Sequence, residues 1–291
     1  MNLTIIDVSG WIHRHFHGNP KIARADGVEV GAVHGCGMAL WNLLRTNPAH
    51  ICAAYDHGKI TWRNEAYADY KAHRPPIDEA LRMQIPMIYR AVEAFGVTGV
   101  SAPGYEADDV IATLAKKALD QGLDVTIVSS DKDLMQLITE HDSIPAVRLY
   151  DPLKYTMIDP ADVQAKFGIL PSQMGDLLAL WGDAVDNVPG VPGIGPKIGS
   201  GLLNKFGNLN AILAAAADGS DIPKGVRSKL CLFANEARLS RTLVTLKDDA
   251  PVDLDLDALR VKTPDSAKVA SFCEEMQLRT LRDAIFGQAA A

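Results

Sequence analysis

The sequence predicts an α/β domain with a largely parallel sheet, followed by an all-α domain. In about the first 170 residues, short apolar runs that suit buried parallel strands alternate with helical segments. From about Pro160 the pattern is wholly helical, with Gly and Pro between the segments. We therefore expect a domain boundary near residue 170, which divides the chain into units 1–170 and 171–291.

Five segments have the character of short strands. Their apolar residues form continuous runs, which is typical of strands that are covered on both faces of a sheet. Helical segments join most of them, and this alternation favours parallel pairing. The expected strands cover residues 3–6, 51–55, 97–100, 123–128 and 146–150.

Helices are expected wherever apolar residues recur on one face. The stretch from His13 to Trp41 contains a Gly-punctuated loop and then an amphipathic segment that ends near Leu44. The helix at 79–95 contains Pro86, which predicts a kink. The other expected helices of the first unit are 106–121 and a short one at 135–139, and those of the second are 162–167, 172–180, 196–206, 209–216, 227–237 and 267–286.

Composition restricts the function classes. No apolar run approaches the roughly 20 residues that span a bilayer, and Asp7 and His13 interrupt the N-terminus too early for a secretory signal. The four cysteines form no C-x-x-C pair, which argues against a zinc site or a disulfide scaffold and suits the cytoplasm. The net charge of −7 conceals a basic segment between Asn187 and Lys247, with eight Lys or Arg and three acidic residues. A basic segment beside an acidic site suits an enzyme that cleaves phosphodiesters.

Acidic residues follow three of the predicted strands. Asp7 and Asp56 come directly after the first two, and Asp131 and Asp133 follow the strand that ends at Val128. Because ligands of open parallel sheets bind beyond the carboxyl ends of the strands, these side chains should converge. Clustered carboxylates repel one another unless cations neutralise them, and hard divalent cations prefer oxygen ligands. The pattern therefore predicts a metal-dependent enzyme.

Two further acidic groups extend this set. Glu106, Asp108 and Asp109 open a predicted helix, where the helix dipole favours carboxylates without any metal. Asp183 and Asp186 lie near helix ends, where Asx residues often only cap. Each group is ambiguous by itself, so the metal hypothesis depends on all the clusters together.

A Gly- and Pro-rich segment, residues 189–197, separates two predicted helices. Its glycines, Gly190, Gly193 and Gly195, allow close backbone approach, and N–H groups of the following helix can hold a phosphate. Lys197 adds positive charge on the same side. This is the form of a helix–hairpin–helix that holds a nucleic-acid backbone without reading bases. A plain Gly/Pro loop is the alternative.

Basic and aromatic residues alternate between Lys59 and Arg90. This combination suits single-stranded or frayed nucleic acid, in which unpaired bases can stack on side chains. A solvated amphipathic helix explains the same pattern about equally well. The residues concerned are Lys59, Arg63, Lys71, Arg74, Arg82 and Arg90, with Trp62, Tyr67, Tyr70 and His73.

Four stretches, in this order, resemble the 5′-nuclease family: the N-terminal domain of bacterial DNA polymerase I, phage 5′-exonucleases and flap endonucleases. They are residues 62–76, 104–111, 130–137 and 182–195. The resemblance extends from Asp7 to about Lys247. It implies a PIN-like nuclease domain, a helical arch at about 60–95, and an all-α domain with a three-turn helix–hairpin–helix (H3TH) motif at about 172–207.

The resemblance also implies roles for single residues. A basic gateway beneath the arch makes Lys71 and Arg63 the expected catalytic residues, and Arg74, Tyr70 and the hairpin residues already named are expected to contact DNA. Hairpin carbonyls in this family often hold a potassium ion. The expected ligands are Asp7, Asp56, Glu106 and Asp108 for a first divalent metal, Asp131, Asp133 and Asp183 for a second, and Asp109 and Asp186 as outer or water-mediated ligands.

Two features depart from the family pattern. Relatives usually have Asp-Gly-Ser after the first strand, whereas this chain has Asp7-Val8-Ser9-Gly10, so the local turn is expected to differ. The chain ends at Ala291 without a polymerase domain, so it resembles a free-standing member.

We therefore expect a nuclease dependent on two or more Mg²⁺ ions, with Mn²⁺ as a substitute, that hydrolyses DNA at 5′ ends and flaps. A two-metal mechanism would leave 5′-phosphate products. RNA–DNA hybrid is an expected secondary substrate, and the protein is expected to be a monomer without a membrane partner. The alternatives are a non-catalytic DNA-junction-binding protein and a PIN-type ribonuclease.

Overall fold

The structure is a computed structural model that describes residues 1–19, 21–139, 142–152, 154–219 and 221–287. The described strands are β1 (Asn2–Asp7), β2 (His50–Ala54), β3 (Thr98–Val100), β4 (Asp124–Val128), β5 (Val147–Asp151) and β6 (Thr156–Ile158). They form one sheet in the order β3-β2-β1-β4-β5-β6. The first five strands are parallel, and β6 pairs antiparallel with β5.

Strand β1 lies at the centre of the sheet and sets the position of the acidic residues. Asp7 pairs with Ala54 at the end of β2, and Ile6 pairs with Val128 at the end of β4. The residues that follow these strands therefore emerge at the same edge of the sheet.

Helices cover both faces of the sheet. The described α-helices of the first 170 residues are α1 (Val8–Gly18), α2 (Gly31–Leu44), α3 (Trp62–Ala66), α4 (Glu79–Ala94), α5 (Ala107–Asp120) and α6 (Pro160–Phe167). Those that follow are α7 (Met174–Trp181), α8 (Pro196–Phe206), α9 (Leu209–Asp218), α10 (Lys224–Leu232), α11 (Ala234–Val244), α12 (Leu256–Leu259), α13 (Ser266–Glu275) and α14 (Arg279–Phe286). Short 3₁₀ helices lie at Asp133–Leu137 and Pro171–Gln173. None of the helices described is long and apolar enough to cross a membrane.

Side-chain alternation along the strands divides the interior into two cores. Ile5 and Ile127 point to the face covered by α5, where the core continues into α7 to α11. Ile6 and Val128 point to the opposite face, where α1, α2, α4, α13 and α14 pack. Because both faces are buried, the strands are continuously apolar rather than alternating.

All five predicted strands are present, and β6 is the one described strand that the sequence did not predict. It is three residues long and lies at the sheet edge, with Met157 49% exposed, so it lacks a buried apolar run. Helix α1, which Asp7 caps and which runs from Val8 to Gly18, was not predicted, and it precedes the Gly-punctuated loop expected within residues 13–41. The predicted helix 227–237 is divided at Phe233 between α10 and α11.

The C-terminal segment returns to the α/β unit. Helix α13 packs against α4, and α14 packs against α2. A Cβ at Gly37 of α2 would lie 2.6 Å from Leu281 Cδ2, so the helices meet closely there. The single helix expected at 267–286 is interrupted by Gln277, which has a φ of 56°. The boundary near residue 170 stays a prediction, but α13 and α14 belong to the packing of the sheet.

The structure differs from the expected helical arch, residues 60–95, in the second half of that segment. Leu81, Ile88 and Val92 of α4 are buried in the core beside the sheet, so α4 is a core helix. Residues 60–78, which contain α3 and a series of turns, lie beside the acidic edge.

Candidate active site

Asp7 lies at the end of β1 and caps α1. Its Oδ1 accepts a hydrogen bond from the Gly10 amide at 2.8 Å, and its Oδ2 accepts one from Ser129 Oγ at 2.7 Å. A Cβ at residue 10 would lie 2.4 Å from Asp7 Oδ2, so this packing requires glycine. Burial raises the pKa of Asp7 to about 6, and the negative charges of Asp131 and Asp56 act in the same direction.

Asp56 and Asp108 approach the same edge from β2 and α5. Asp56 is exposed, and its Oδ1 accepts a hydrogen bond from the Ala107 amide at 2.8 Å. Burial raises the pKa of Asp108, and the charges of Asp131 and Asp7 raise it further. The Asp56–Ala107 and Asp7–Ser129 hydrogen bonds therefore bring β1, the end of β2, the start of α5 and the segment after β4 to one edge.

Glu106 lies at the N-cap of α5 and is held by residues of the 60–78 segment. Lys71 Nζ donates to Glu106 Oε1 at 2.8 Å, and the Tyr70 hydroxyl donates to Oε2 at 3.1 Å. Burial alone would lower the pKa of Lys71, but the charges of Glu106 and Asp186 raise it overall. Lys71 therefore carries a positive charge beside the acidic cluster, and its side chain is 27% exposed.

Asp131, Asp133 and Asp183 form a second acidic group around Lys132. Lys132 Nζ donates to Asp183 Oδ2 at 2.6 Å and lies 3.4 Å from Asp133 Oδ1. Burial and the charge of Asp131 raise the pKa of Asp133 to about 6. Asp133 Oδ1 is buried and accepts no hydrogen bond. Such a carboxylate oxygen suits a cation ligand.

Asp186 connects the 60–78 segment to the helical part of the chain. Its carboxylate accepts a hydrogen bond from Arg74 and lies 3.2 Å from the Tyr70 hydroxyl, whose single proton it shares with Glu106. The Lys71 amide donates to the Asp186 carbonyl at 3.0 Å, and Asn187 Nδ2 donates to the carbonyl of Asp69 at 2.7 Å. The predicted DNA contacts Tyr70 and Arg74 therefore lie at the acidic edge, where they are paired with Asp186.

Arg63 and Asp109 are buried next to Glu106, whose Oε2 also accepts a hydrogen bond from Arg63 Nη1 at 3.3 Å, and they differ from their predicted roles. Arg63 is 2% exposed and donates two hydrogen bonds to Asp109, at 2.7 and 2.9 Å. It also donates to the Leu243 carbonyl at 2.8 Å. Asp109 is fully buried, and Trp62 Nε1 and the Lys247 amide donate to its remaining acceptor sites. The structure therefore does not support the predicted roles of Arg63 as a phosphate clamp and Asp109 as an outer metal ligand. The two residues form a structural ion pair instead.

The metal hypothesis can be tested against the donor set. Among the residues that the structure describes, no three His, Cys, Asp or Glu side chains already form a group able to hold a metal ion. Instead, Lys71, Lys132 and Arg74 pair with the acids. The donors are nevertheless hard oxygens at one sheet edge, and Asp7, Asp108 and Asp133 have raised pKa values. The residues fit a divalent cation, because positive charge would relieve their burial and repulsion.

The hairpin at 189–195 is fixed by close backbone packing. Gly190 has a φ of 61°, and a Cβ there would lie 2.5 Å from the Gly182 nitrogen. The Gly190 amide donates to Ser240 Oγ at 2.8 Å, which ties the hairpin to α11. Glycine at this position is therefore required by the local fold, whatever the hairpin binds.

The exposed side of the hairpin leads into α8. Gly195 is the N-cap of α8 and has no side chain that could bond to the first amides of the helix. Lys197 is exposed in the first turn. A Cβ at Gly193 would lie 2.3 Å from Lys229 Nζ, so a second ammonium lies beside the hairpin. Amides without a side-chain cap and two lysines therefore lie together at the start of α8.

Sequence reasoning missed three side chains that shape these sites. Ser129 bonds to Asp7, Lys132 bonds to Asp183, and Lys229 lies beside Gly193. Ser129 and Lys132 lie within or next to the acidic motif after β4, and that position was a usable signal. Lys229 is 36 residues from Gly193, and no local pattern connects the two.

Comparison with known proteins identifies the family. Residues 2–168 match the model of the 5′-3′ exonuclease N-terminal resolvase-like domain, and residues 169–267 match the 5′-3′ exonuclease C-terminal SAM fold. The chain is 35% identical to a 5′-3′ exonuclease of Aquifex aeolicus, covering 99% of this chain and 97% of that protein. It is 43% identical to DNA polymerase I of Rhizobium leguminosarum, covering 96% of this chain but only 28% of the polymerase.

Solved structures show the same fold. A zinc-bound 5′-exonuclease of bacteriophage T5 aligns with a TM-score of 0.70 and 22% identity, covering 96% of this chain and 99% of the T5 protein. The catalytic core of Rad2 in complex with a DNA substrate aligns with a TM-score of 0.62 and 18% identity, covering 94% of this chain and 87% of the Rad2 chain.

The fold and the two matched domains are those of a nuclease with a resolvase-like catalytic unit and a helical unit. The chain belongs to the 5′-3′ exonuclease family. The resemblance, the fold class and the class of enzyme that the sequence predicts are confirmed.

Proposed function

We propose that this protein hydrolyses DNA phosphodiesters at 5′ ends and at flap junctions, with divalent metal ions as cofactors. The observation that carries the proposal is the convergence of buried carboxylates at one sheet edge. Burial and the charge of Asp131 raise the pKa values of Asp7, Asp108 and Asp133, and the charge of Asp7 also raises that of Asp108. In a protein that binds no cations, the repulsion among these carboxylates would only destabilise the fold.

The ligands for the cations would be the acids that face the edge. Mg²⁺ is the proposed ion, with Mn²⁺ as a substitute, and such ions lower the pKa of a bound water and neutralise charge on a phosphate. Asp186 lies beside this set as an outer ligand, and Asp109 is excluded by its ion pair with Arg63. The proposed ligands are Asp7, Asp56, Glu106 and Asp108 for one ion and Asp131, Asp133 and Asp183 for another.

Lys71 is the proposed group that orients the scissile phosphate. Its ammonium lies 2.8 Å from Glu106 and is partly exposed, so it can also bind a phosphate oxygen. Because the charges around it raise its pKa, it stays protonated at neutral pH and can offset negative charge developing on the phosphate. Hydrolysis would leave a 5′-phosphate on one product and a 3′-hydroxyl on the other.

The hairpin is the proposed site for the duplex backbone. Free amides at the start of α8, together with Lys197 and Lys229, suit a phosphate group and carry no base information. The hairpin would thereby set the distance between the duplex and the acidic edge. We also propose that its carbonyl groups bind a potassium ion.

The two rival functions make different predictions. A non-catalytic junction-binding protein would bind flaps without cutting them, and the set of buried acids counts against it. A PIN-type ribonuclease would prefer RNA, whereas the hairpin suits duplex DNA. RNA–DNA hybrid remains a proposed secondary substrate, and a monomer is the proposed state. The four cysteines are free, which supports a proposed cytoplasmic location.

The experiment uses a 3′-labelled duplex with a 5′ flap. Wild type is incubated with Mg²⁺ or with EDTA, and Asp131→Asn is incubated with Mg²⁺. Asp120→Asn is the matched control, because Asp120 is an exposed carboxylate at the far end of α5. A matched RNA substrate tests the ribonuclease alternative.

The proposal predicts that wild type and Asp120→Asn cleave near the junction in Mg²⁺. It also predicts that wild type in EDTA and Asp131→Asn in Mg²⁺ do not cleave. Tight flap binding without cleavage in Mg²⁺ or Mn²⁺ would overturn it in favour of a junction-binding protein. Faster cleavage of the RNA substrate would favour the ribonuclease.

A further inference from the structure

Lys132 contacts two of the three acids that are proposed to bind the second metal ion. Its ammonium donates a hydrogen bond to Asp183 Oδ2 at 2.6 Å and lies 3.4 Å from Asp133 Oδ1. The side chains of both acids are at least 80% buried, so the attraction between these charges is screened less than at the surface. One positive charge therefore lies beside both acids, and the proposed function gives this lysine no role.

The hydrogen bonds of Asp183 leave Oδ2 as the oxygen available to an ion. Its Oδ1 accepts hydrogen bonds from the Val185 amide at 2.8 Å and the Asp186 amide at 3.3 Å, and these two bonds hold the loop that follows α7. Two donors occupy the two lone pairs of a carboxylate oxygen. Since Lys132 bonds to Oδ2, an ion that binds Asp183 without disturbing the loop must compete with Lys132.

Asp133 Oδ1 is the second oxygen beside this ammonium. It is buried and accepts no hydrogen bond, so the charge of Lys132 is its compensation in the described structure. An ion at the usual Mg–O distance of about 2.1 Å from Asp183 Oδ2 would lie within about 5 Å of Lys132 Nζ. Because the ammonium and the ion repel each other at that distance, the two cannot both bind these acids favourably.

The first proposed metal site has less positive charge at its ligands. Among the residues that the structure describes, the ion pairs of this group reach Glu106 alone, from Lys71 and Arg63. Asp7 and Asp56 accept hydrogen bonds from amide or hydroxyl donors, which carry no net charge. The two sites therefore differ in the positive charge that an ion must displace.

The Lys132 side chain has space to leave the acids. It is 31% exposed and lines a cavity of about 390 Å³ beside the acidic edge. Lysine carries its ammonium on a flexible four-carbon stem, and the ammonium is strongly hydrated in water. The side chain can therefore turn towards solvent while the backbone of the acidic motif stays in place.

We propose that Lys132 is a positioning residue that competes with the second divalent ion for Asp133 and Asp183. Its ammonium neutralises the two acids and holds them together, and the ion binds as the ammonium leaves. The two ions consequently bind the free protein with unequal affinity, and the ion at Asp133 and Asp183 binds more weakly. This inference rests on the proposed function, because it requires the second metal site.

The test is a titration of the protein with Mn²⁺ without DNA, in which the electron paramagnetic resonance signal of free Mn²⁺ gives the number and affinity of bound ions. We expect Lys132→Gln to bind the weaker ion at least about tenfold more tightly than wild type, because binding no longer breaks a charged hydrogen bond. Lys132→Met, which also lacks the charge, should show the same gain.

Lys166→Gln is the matched control for a general change in charge. Lys166 is exposed and lines the same cavity, but it forms no ion pair with the acids of the edge in the described structure. Its variant should bind both ions like wild type. Lys132→Arg keeps the positive charge and should bind the second ion as weakly as wild type, which a merely structural role of Lys132 does not predict.

A double variant locates the gain. Asp183→Asn combined with Lys132→Gln replaces the oxygen for which ion and ammonium compete, and it should abolish the tighter binding. Circular dichroism and thermal unfolding establish that each variant is folded. A second ion bound no more tightly by Lys132→Gln and Lys132→Met than by wild type would overturn the inference. So would an equal gain in Lys166→Gln or Lys132→Arg, or a gain that persists in the double variant.

The DNA cleavage assay distinguishes this inference from the proposed function. A protein that shows the expected changes in Mn²⁺ binding but never cleaves DNA would refute the proposed function alone. A metal-dependent nuclease whose Lys132 variants bind Mn²⁺ like wild type would refute this inference alone.

Discussion

Arg63 Nη1 lies 2.7 Å from Asp109 Oδ2, and Arg63 Nη2 lies 2.9 Å from Asp109 Oδ1. Both side chains are almost completely buried. Through the Leu243 carbonyl the pair also joins α3 and α5 to the end of α11. The ion pair thus fixes the 60–78 segment, the acidic helix α5 and the helical unit in one arrangement.

Arg63→Gln is expected to lower the free energy of unfolding by about 3–5 kcal/mol, because it leaves the Asp109 charge buried without its partner. Urea unfolding followed by circular dichroism measures the change. Arg74→Gln is the control, since Arg74 has a 43% exposed side chain and its pair with Asp186 is worth at most about 1 kcal/mol. If Arg63→Gln were as stable as wild type but unable to cleave DNA, the result would support the predicted role of Arg63 as a phosphate clamp.

The Arg63–Asp109 pair shows what sequence patterns could not predict here. The residues lie 46 positions apart, and Leu243 is 180 positions from Arg63. Arg63 and Asp109 lie in stretches that resemble the family, but a sequence motif does not show which of its charged side chains are buried. By contrast, Asp7 and Asp56 could be placed at one edge, because each directly follows an apolar strand and parallel strands end together.

Lys71→Ala is expected to reduce flap cleavage by about 10²–10³-fold, the range found when one donor to developing negative charge is removed. Stability should change little, since Lys71 is partly exposed and Tyr70 still bonds to Glu106. Single-turnover cleavage at saturating Mg²⁺ measures the rate. Lys59→Ala is the control, because Lys59 is exposed and has no contact with the acids of the edge in the described structure. Equal losses in both variants would indicate general attraction of DNA rather than orientation at the phosphate.

The pKa of Asp133 predicts a pH dependence of stability in EDTA. The folded protein holds this proton up to about pH 6, whereas the unfolded chain releases it near 3.8. Between these values the folded state binds more protons, so stability falls as pH rises through this window. Asp133→Asn removes this residue's share of the effect, while Asp7 and Asp108 keep theirs. The variant should be more stable than wild type at pH 8, by at most about 3 kcal/mol, but not at pH 3.

Unfolding of wild type, Asp133→Asn and Asp120→Asn at both pH values checks this prediction. Asp120 is exposed, so its variant should follow wild type. A wild-type protein whose stability does not fall between pH 4 and 6, after correction for the control, would contradict a raised pKa at Asp133.

Divalent metal is expected to reverse this destabilisation. A cation that binds only the folded protein raises the unfolding temperature, and the increase grows with its concentration. Since Asp7 and Asp133 are largely protonated below about pH 6, Mg²⁺ should raise the unfolding temperature more at pH 8 than at pH 5. Asp108→Asn should reduce the increase at pH 8, and Asp120→Asn should not. An increase of equal size at both pH values would place the metal elsewhere.

The helix α1 illustrates how a local signal can mislead. No helix was predicted over residues 8–18, and a glycine at position 10 disfavours one. Its absent side chain instead allows Asp7 to cap the helix and bond to Ser129. Gly10 therefore helps to hold Asp7 in place at the acidic edge. Helix propensity alone does not predict this role.

Two glycines of the hairpin separate folding from DNA binding. Gly190→Ala places a Cβ 2.5 Å from the Gly182 backbone nitrogen at a φ of 61°. Because backbone cannot move aside cheaply, we expect a loss of about 1–3 kcal/mol in stability and weaker duplex binding.

Gly195→Ala meets no atom within 4 Å and has a φ of −92°, so it should fold with wild-type stability. If the hairpin backbone approaches a phosphate, the added methyl at Gly195 should still weaken duplex binding, measured by fluorescence anisotropy with a labelled duplex in Ca²⁺. Binding weakened in Gly190→Ala but unchanged in Gly195→Ala would mean that the glycines serve the fold alone, and wild-type stability of Gly190→Ala would contradict the close packing at Gly182.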